Sequence, residues 1–213
     1  MSVASSRPLR GLYLLTPDEA VTARLVERVL PALDAGAAML QYRNKRVDRT
    51  LRREQALALQ PHCRRLGIPL IINDDWQLAF DIQADGVHLG ESDGDPRAVR
   101  ACLPASAIIG VSCYDSLDRA AAAAAAGASY LAFGAMFASG TKPLARSASL
   151  DLLSQAERFG LPRVAIGGIT PDNAGSVIAA GAELIAVIGG VFDASDPALA
   201  VRHYLKCFAR HPQ

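Results

Sequence analysis

The sequence predicts an α/β protein with the fold of a (β/α)8 TIM barrel, formed by a single domain over residues 1–213. Short apolar runs alternate with longer amphipathic stretches along the whole chain, which is the pattern of a parallel sheet with crossover helices. There are eight such runs, the number of strands that closes this barrel, and polar residues follow their ends, where the barrel builds its active site. At 213 residues the chain is near the short end of the range for this fold.

The predicted strands are short apolar segments. In chain order they are LRGLYLLT, AAMLQYR, PLIIND, ADGVHLG, AIIGVS, SYLAFGA, RVAIGG and ELIAVIG. A doubly wound open sheet would show the same alternation, but it usually carries a G-x-G-x-x-G turn after its first strand. The segment LLTPDEA has no such turn, so the barrel is favoured.

Helices are predicted between the strands. The best defined cover residues 20–35, 48–66, 115–126, 171–180 and 196–208. Glycine follows several of them, in DAGAAM, AAGASY and AAGAEL, where a C-terminal cap would precede the next strand. The alanine run at 120–126 is interpreted as ordinary helix, because alanine is the strongest helix former.

The composition excludes several classes of protein. Hydrophobic residues make up 51% and charged residues 20% of the chain, which indicates a globular protein rather than a disordered one. The net charge of +1 offers no basic stripe for nucleic acid, and the apolar runs are too short or too interrupted to cross a membrane. Residues 1–9 and 209–213 are expected to be flexible ends, and association into a homo-oligomer stays open.

The cysteines indicate a reducing compartment. Cys63, Cys102, Cys113 and Cys207 form no C-x-x-C pair, and the segment MSVASSRPLR lacks the apolar core of a signal peptide. We therefore expect a cytoplasmic protein.

The segment QYRNK ends the second predicted strand. Alternation along the strand sends Gln41, Arg43 and Lys45 to one side. Arginine offers a rigid fork of donors to phosphate oxygens, lysine a mobile charge, and glutamine a donor and an acceptor for the edge of a heterocycle. The set suits a pyrophosphate, and a solvated loop is the alternative interpretation.

Carboxylates follow the next two strands. Asp74 and Asp75 come after the third strand and Asp93 after the fourth, so they could share a hard cation. Mg2+ binds in this way, through few protein oxygens, with water and substrate phosphates completing its shell. Aspartate is also a favoured helix N-cap. We expect Asp75 to cap a helix, Asp93 or Asp95 to cap the next one, and Asp74 and Asp93 to be the metal ligands.

Three later loops suit phosphate. SGTK at 139–142 combines hydroxyls, a glycine and a lysine, although it is not a Walker loop. The turns IGGI at 166–169 and VIGG at 187–190 follow the seventh and eighth strands, where barrels of this kind commonly bind phosphate through backbone amides and a short helix. Close packing by glycine is the alternative at either turn.

No catalytic triad is predicted. His88 lies inside a strand pattern and is expected to be a satisfied barrel histidine, while His62, His203 and His211 lie on helices or the tail. Cys113 has no neighbour in the sequence that would lower its pKa, so it is not expected to be a nucleophile.

Taken together and in order, GLYLLT, QYRNK, INDD, DGVHLGESD, GVS, GTK, AIGGI and AVIGG resemble the thiamine-phosphate synthase family, barrel enzymes that join the two halves of thiamine. The resemblance runs from about Gly11 to Val191. It departs from the family at Ser139, where threonine is frequent, and at Gly189, where serine is frequent. Ser139 keeps the hydroxyl and Gly189 keeps the backbone amide.

The resemblance implies two small-molecule substrates, an aminopyrimidine methyl pyrophosphate and a thiazole phosphate, with Mg2+ on Asp74 and Asp93. For the pyrimidine substrate it implies Gln41, Arg43, Lys45, Asn73, Ser112 and Lys142. For the thiazole phosphate it implies Ser139, Thr141, Gly168, Ile188 and Gly189, and the substrate-binding set also includes Tyr42, Asn44 and Gly140. The catalytic residues would be Arg43, Lys45, Lys142 and Ser112.

Three alternatives remain at this point. The related thiazole tautomerase shares the barrel but uses a histidine just after the GxS turn, where this chain has Tyr114. A sugar-phosphate isomerase or aldolase would need a lysine or glutamate at a strand end inside the barrel. A non-catalytic sensor of a thiamine precursor would bind phosphate without turnover, and the intact pair of carboxylates argues against it.

Overall fold

The computed structural model describes residues 9–138 and 147–211, and it has the predicted barrel. Eight parallel strands pair in chain order, and β1 closes the barrel by pairing with β8. The strands are β1 (Gly11–Leu15), β2 (Met39–Tyr42), β3 (Leu70–Asn73), β4 (Gly86–Leu89), β5 (Ile108–Tyr114), β6 (Tyr130–Phe133), β7 (Arg163–Ile166) and β8 (Leu184–Val187).

Helices follow the strands on the outside of the barrel. They are α1 (Thr22–Asp34), α2 (Arg49–Leu66), α3 (Trp76–Asp81), α4 (Pro96–Cys102), α5 (Leu117–Ala125), α6 (Asp151–Gln155), α7 (Ala174–Ala179), α8 (Gly189–Phe192) and α9 (Pro197–Ala209), with a 3-10 turn at Ala156–Phe159. None of these helices, within the described ranges, is both long and apolar enough to cross a membrane.

Alternation along the strands builds two cores. In β1, Leu12 and Leu14 point outward into the apolar layer between strands and helices, whereas Tyr13 and Leu15 point into the barrel. The interior cluster is small and also contains Met39, Ile71, Tyr130, Ala132, Val164, Leu184 and Ala186. A barrel filled in this way is a packed core rather than a pore, so a ligand can enter only at its ends.

Aspartate and glycine set the helix ends as predicted. The Asp75 carboxylate accepts a hydrogen bond from the Leu78 amide at the start of α3, and Asp95 caps α4 in the same manner. Gly36, Gly127 and Gly181 follow helices with φ of 117°, 87° and 107°, conformations that glycine adopts without strain.

The predicted flexible ends fall partly outside the described residues, which leave out 1–8 and 212–213. At the C-terminal end, α9 continues to Ala209. The Arg10 side chain donates a hydrogen bond of 2.5 Å to the carbonyl oxygen of His211, so the described parts of the two ends lie together.

Candidate active site

A cavity of about 860 Å³ opens at the carboxyl ends of the strands. Its volume is typical of sites that bind small molecules. Every strand of the barrel contributes lining: Tyr13, Gln41, Asn73, His88, Ser112, Ala132, Ile166 and Ala186 each come from a different strand. Polar residues from the ends of several strands therefore meet in one space.

The end of β2 supplies the cations. Arg43 and Lys45 both line the cavity, as the alternation predicts. Thr16 fixes this segment, because its hydroxyl accepts a hydrogen bond of 2.8 Å from the Arg43 amide and donates one of 2.7 Å to the Arg43 carbonyl. Asp18 accepts from the Lys45 amide at 2.9 Å and lies 3.5 Å from the Arg43 guanidinium. The backbone of both cations is thus held by the end of β1 and the loop after it.

Tyr42 and Asn44 lie on the other side of this segment, away from the cavity. Tyr42 is buried among the helices, and its hydroxyl donates to the Gln55 side chain at 2.8 Å. The amide of Asn44 donates to the carbonyl oxygen of Glu19 at 2.7 Å and to Gln55 at 3.0 Å. The strand period of two that turns their neighbours inward turns these two outward, so the side chains of Tyr42 and Asn44 do not line the cavity and instead fix this segment to Gln55 and Glu19.

Two carboxylates from adjacent strand ends face each other at the cavity. Asp74 has φ of 65°, and its amide donates to the carbonyl oxygen of His88 on the next strand at 2.8 Å. The Asp93 carboxylate accepts from the Gly90 amide at 2.7 Å. Burial raises the pKa of Asp74, contact with the Asp93 carboxyl raises it further, and Lys45, 3.5 Å away, opposes both. Lys45 does not offset the burial and the repulsion between the two carboxylates, and a cation bound between them would do so.

The described residues contain no group of three or more histidine, cysteine or acidic side chains arranged to hold a metal. Two carboxylates alone would leave most positions around an ion to water or to a substrate. That division suits Mg2+, which keeps several waters and binds through one or two carboxylates plus substrate phosphates. The donor set therefore fits this ion better than one that needs a closed protein cage.

A chain of polar side chains crosses the inside of the barrel. The Gln41 amide donates to the Tyr13 hydroxyl at 2.7 Å, and the Tyr13 and Tyr130 hydroxyls are 2.8 Å apart. Nδ1 of His88 lies 2.9 Å from the Tyr130 hydroxyl, and Nε2 lies 2.9 Å from the Ser112 hydroxyl. Loss of solvation in the barrel lowers the pKa of His88 to about 4, so this histidine is neutral. His88 is a satisfied barrel histidine, as the sequence indicates.

Sequence reasoning missed Tyr13 and Tyr130 as parts of the site. Strand alternation could have placed both on the interior face, but nothing local shows that their hydroxyls meet across 117 positions of sequence. Gly110 is a second residue on which the contact between the two tyrosines depends. A Cβ at Gly110 would lie 1.9 Å from Cζ of Tyr130, so the absence of a side chain on β5 makes room for the tyrosine from β6.

The end of β5 is irregular. The pairing with β6 shifts register between Ser112 and Tyr114, and Tyr114 has φ of 54°. As a result Ser112 and Tyr114 both line the cavity, while Cys113 between them is buried outside it. Burial raises the pKa of the Cys113 thiol to about 12, in agreement with the expectation that it is not a nucleophile.

Glycine loops after β7 and β8 form another part of the cavity wall. Gly168, Ile188 and Gly189 all line the cavity. Gly168 has φ of 62°, and a Cβ there would lie 2.6 Å from the Phe137 and Ala138 carbonyl oxygens, so only glycine fits. Asn173, which sequence reasoning also missed, fixes this loop: its amide donates to the Gly168 carbonyl at 3.0 Å and its oxygen accepts from the Thr170 amide at 2.8 Å.

The backbone after β8 turns directly into the short helix α8. Its first residues, Gly189 and Gly190, border the cavity. The first N–H groups of a helix have no partner within it, and they attract anions. This end of α8 can therefore bind phosphate.

Of the predicted site residues, Gln41, Arg43, Lys45, Asn73, Asp74, Asp93, Ser112, Gly168, Ile188 and Gly189 line the one cavity. The predicted loop residues Ser139, Gly140, Thr141 and Lys142 lie outside the described residues. Ala138, the last described residue before them, borders the same cavity.

Comparison with known proteins agrees with this arrangement. The family model described as thiamine monophosphate synthase matches residues 12–191. A protein of Xanthomonas campestris pv. campestris (strain 8004) named thiamine-phosphate synthase is 56% identical over 201 residues, covering 94% of this chain and 97% of the relative. One of the same name from Methylobacillus flagellatus is 52% identical over 208 residues, covering 98% and 100%. The solved structure titled thiamine phosphate pyrophosphorylase from Pyrococcus furiosus superposes with a TM-score of 0.84 at 33% identity and covers 95% of this chain and 97% of that one.

Proposed function

The chain belongs to the thiamine monophosphate synthase family and is a transferase that makes thiamine phosphate, and we propose the residues and the order of bond changes by which its barrel does so. The substrates are 4-amino-2-methyl-5-pyrimidinylmethyl diphosphate and 4-methyl-5-(2-phosphoethyl)thiazole, and the products are thiamine phosphate and pyrophosphate. The observation that carries the proposal is that the cations of β2 and the glycine loops after β7 and β8 line one cavity. Two anionic substrates can therefore meet there.

The pyrimidine diphosphate binds on the side formed by β2 to β5. Arg43 and Lys45 hold the diphosphate oxygens, with Asn73 beside them, and Lys142 is the fourth proposed member of this set. Gln41 and Ser112 lie at the cavity floor and contact the ring. The Asp18 carboxylate lies 3.5 Å from the Arg43 guanidinium. This ion pair orients the guanidinium before the ligand binds.

Asp74 and Asp93 are the proposed ligands of Mg2+. Their mutual contact and the raised pKa of Asp74 support this, because a cation between them would remove the repulsion. When bound there, the ion supplies charge neutralisation to the phosphate oxygens. Lys45, 3.5 Å from Asp74, is placed to contact both the carboxylate and the diphosphate.

The thiazole phosphate binds at the loops after β7 and β8. Backbone amides of Gly168 and Gly189 and the start of α8 hold its phosphate, together with the hydroxyls of Ser139 and Thr141. Ile188 and Gly140 complete this side. The glycines matter because a side chain would keep the phosphate from the backbone amides.

The reaction needs no general base. The bond between the methylene carbon and the pyrophosphate oxygen breaks first, and its electron pair leaves with the pyrophosphate, while the electron-rich ring delocalises the positive charge left on carbon. The lone pair of the thiazole nitrogen then forms the new C–N bond. Arg43, Lys45 and Lys142 stabilise the departing charge, and donors fixed before the reaction commonly supply the largest part of such catalysis.

We also propose a reducing cytoplasmic location. All four cysteines are free, and two of them are buried. The proposed partners are the two small-molecule substrates. A proton-transfer function of the tautomerase kind is not favoured, since Tyr114 lies where that chemistry uses a histidine.

Incubation of the purified protein with both substrates and Mg2+ tests the reaction. Mass spectrometry should find thiamine phosphate and pyrophosphate in equal amounts, and neither should form when one substrate is left out. A folded protein that forms no product under these conditions would contradict the function.

The order of bond changes has its own test. An electron-withdrawing group in place of the ring methyl should slow single turnover by orders of magnitude with little effect on binding, because it destabilises the cationic carbon. If chemistry limits the rate and the substituent has no effect, direct displacement replaces the stepwise route.

A further inference from the structure

The interior chain Gln41–Tyr13–Tyr130–His88–Ser112 connects the two residues that contact the pyrimidine ring in the proposed function. Four contacts of 2.7, 2.8, 2.9 and 2.9 Å join its members in order. Tyr130 is fully buried and is not among the residues that line the cavity, whereas Tyr13 and His88 border it. The Tyr130 hydroxyl therefore acts only through its neighbours in the chain.

Assigning a donor and an acceptor to each of these hydrogen bonds gives the interior chain of side chains a single donor-to-acceptor direction, from Gln41 to Ser112. The Gln41 amide nitrogen donates to Tyr13, so the Tyr13 hydroxyl donates to Tyr130, because the reverse would leave the Tyr13 proton without an acceptor. Tyr130 in turn donates to Nδ1 of His88. The neutral ring then carries its proton on Nε2 and donates it to Ser112.

The chain therefore fixes which groups its two ends offer to a ligand. Gln41 uses one of its two amide N–H groups on Tyr13, which fixes the orientation of the amide and so the order in which its carbonyl oxygen, an acceptor, and its second N–H face the ligand. Ser112 receives a hydrogen bond from His88 and presents its own O–H, a donor. A neutral aminopyrimidine matches this pattern, since its amino group donates and its ring nitrogens accept.

We infer that the Tyr13–Tyr130–His88 relay is a specificity device, which fixes the hydrogen-bond polarity of Gln41 and Ser112 so that the site selects an amino-substituted ring over its carbonyl counterpart. The inference rests on the proposed function. Tyr13, Tyr130 and His88 are positioning residues, because their proposed role is to orient Gln41 and Ser112, the residues that contact the ring in the proposed function.

The barrel is built to hold this relay. Gly110 leaves space for the Tyr130 ring, which stacks on His88 with centroids 5.7 Å apart and meets Tyr13 edge-on at 5.9 Å. The four members from Tyr13 to Ser112 come from four different strands. Packing that fixes both rings also fixes the distances between their hydroxyls.

The test compares the binding of two ligands, the 4-amino pyrimidine diphosphate and an analogue with a carbonyl oxygen in place of the amine. Calorimetric titration in Mg2+, without thiazole phosphate, gives a Kd for each. The wild type should prefer the amine by about a hundredfold, because the analogue leaves buried polar groups facing groups of the same kind. Tyr130→Phe keeps the ring and removes the link, so the preference should fall to about tenfold or less.

A second substitution distinguishes a relay from a local effect of Tyr130→Phe on its surroundings. Tyr13→Phe breaks the chain at a different link and should lower the preference to the same extent, and the double variant should lower it no further, since members of one network are not additive. Tyr42→Phe is the matched control. It removes a buried hydroxyl from a neighbouring strand on the outer face and should leave the preference unchanged.

The outcomes separate this inference from the function itself. A wild type that binds neither diphosphate contradicts the proposed function. A wild type that prefers the amine, with the same preference in Tyr13→Phe and Tyr130→Phe, overturns the relay alone. If the wild type binds both ligands equally, the Gln41 side-chain amide rotates and every hydrogen bond of the relay reverses its direction. That result would likewise overturn the fixed polarity.

Discussion

Replacing Asp74 by asparagine should make the protein more stable in the absence of divalent cations while it destroys the metal site. The substitution keeps the shape of the side chain, and asparagine tolerates the left-handed backbone at φ of 65°. It removes one of two facing carboxylates. Function, rather than stability, would then be the reason for the charge at this position.

The size of the effect follows from opposing terms. Lys45 attracts Asp74 from 3.5 Å, but both side chains are partly exposed, at 55% and 35%, and pairs of this kind contribute at most about 1 kcal/mol. Asp93 repels Asp74, and burial, the largest cause, acts in the same direction to raise its pKa. We expect the relief of burial and repulsion to exceed this loss, so that Asp74→Asn unfolds at a higher Tm; for a chain of this size each kcal/mol corresponds to about 2–4 °C.

The pH dependence identifies the cause. Because the folded state raises the pKa of Asp74, the protonated carboxyl favours folding, and that contribution is present in acid and is lost as the pH rises through the raised pKa. The advantage of Asp74→Asn over the wild type should therefore be absent in acid and grow toward neutral pH.

Thermal unfolding in a chelator and in Mg2+ measures both effects. Mg2+ should raise the Tm of the wild type and leave that of Asp74→Asn unchanged. Asp75→Asn is the matched control: it removes the neighbouring charge but keeps the cap on α3, so it should respond to Mg2+ like the wild type. An Asp74→Asn protein that is less stable than the wild type in chelator at neutral pH would refute the reasoning.

Three further predictions concern other parts of the barrel. Gly168→Ala should raise KM for the thiazole phosphate far more than for the pyrimidine diphosphate in steady-state kinetics, because its Cβ would lie 2.6 Å from two carbonyl oxygens, and equal losses would count against a dedicated phosphate site. Gly110→Ala should lower the free energy of unfolding by about 1–3 kcal/mol in urea denaturation, since the added carbon overlaps the Tyr130 ring; an unchanged midpoint would mean that the ring has room to move. Lys142→Ala should slow single turnover of every pyrimidine substrate by a similar factor of about 100–1,000, and unchanged turnover would remove Lys142 from the site.

Much of the barrel followed from local patterns in the sequence. Apolar runs of four to seven residues were enough to find all eight strands, because a parallel strand is buried on both faces and reads as a continuous apolar run. Helix ends were placed less well. Residues 171–173 were predicted to begin α7, but the helix starts at Ala174, because Asn173 uses its side chain to fix the loop after β7.

The candidate site was predicted correctly where the alternation of side chains along a single strand decides which residues face the cavity. Alternation alone turns Gln41, Arg43 and Lys45 toward one side, and all three line the cavity. The same alternation argues against Tyr42 and Asn44, which the family resemblance had added as substrate-binding residues. For these two, the local geometry of the strand predicts the outward side on which the structure shows their side chains.

The sequence by itself determined which residues face inward and which strand ends carry charge, because both depend on a period of two and on neighbours along the chain. Only the tertiary structure decided which inward residues meet. Tyr13 and Tyr130 are 117 positions apart, and their contact depends on barrel closure, on the stagger of the strands and on the missing side chain at Gly110. Distances across a closed barrel are set by the pairing of all eight strands together, and no segment of the sequence contains them.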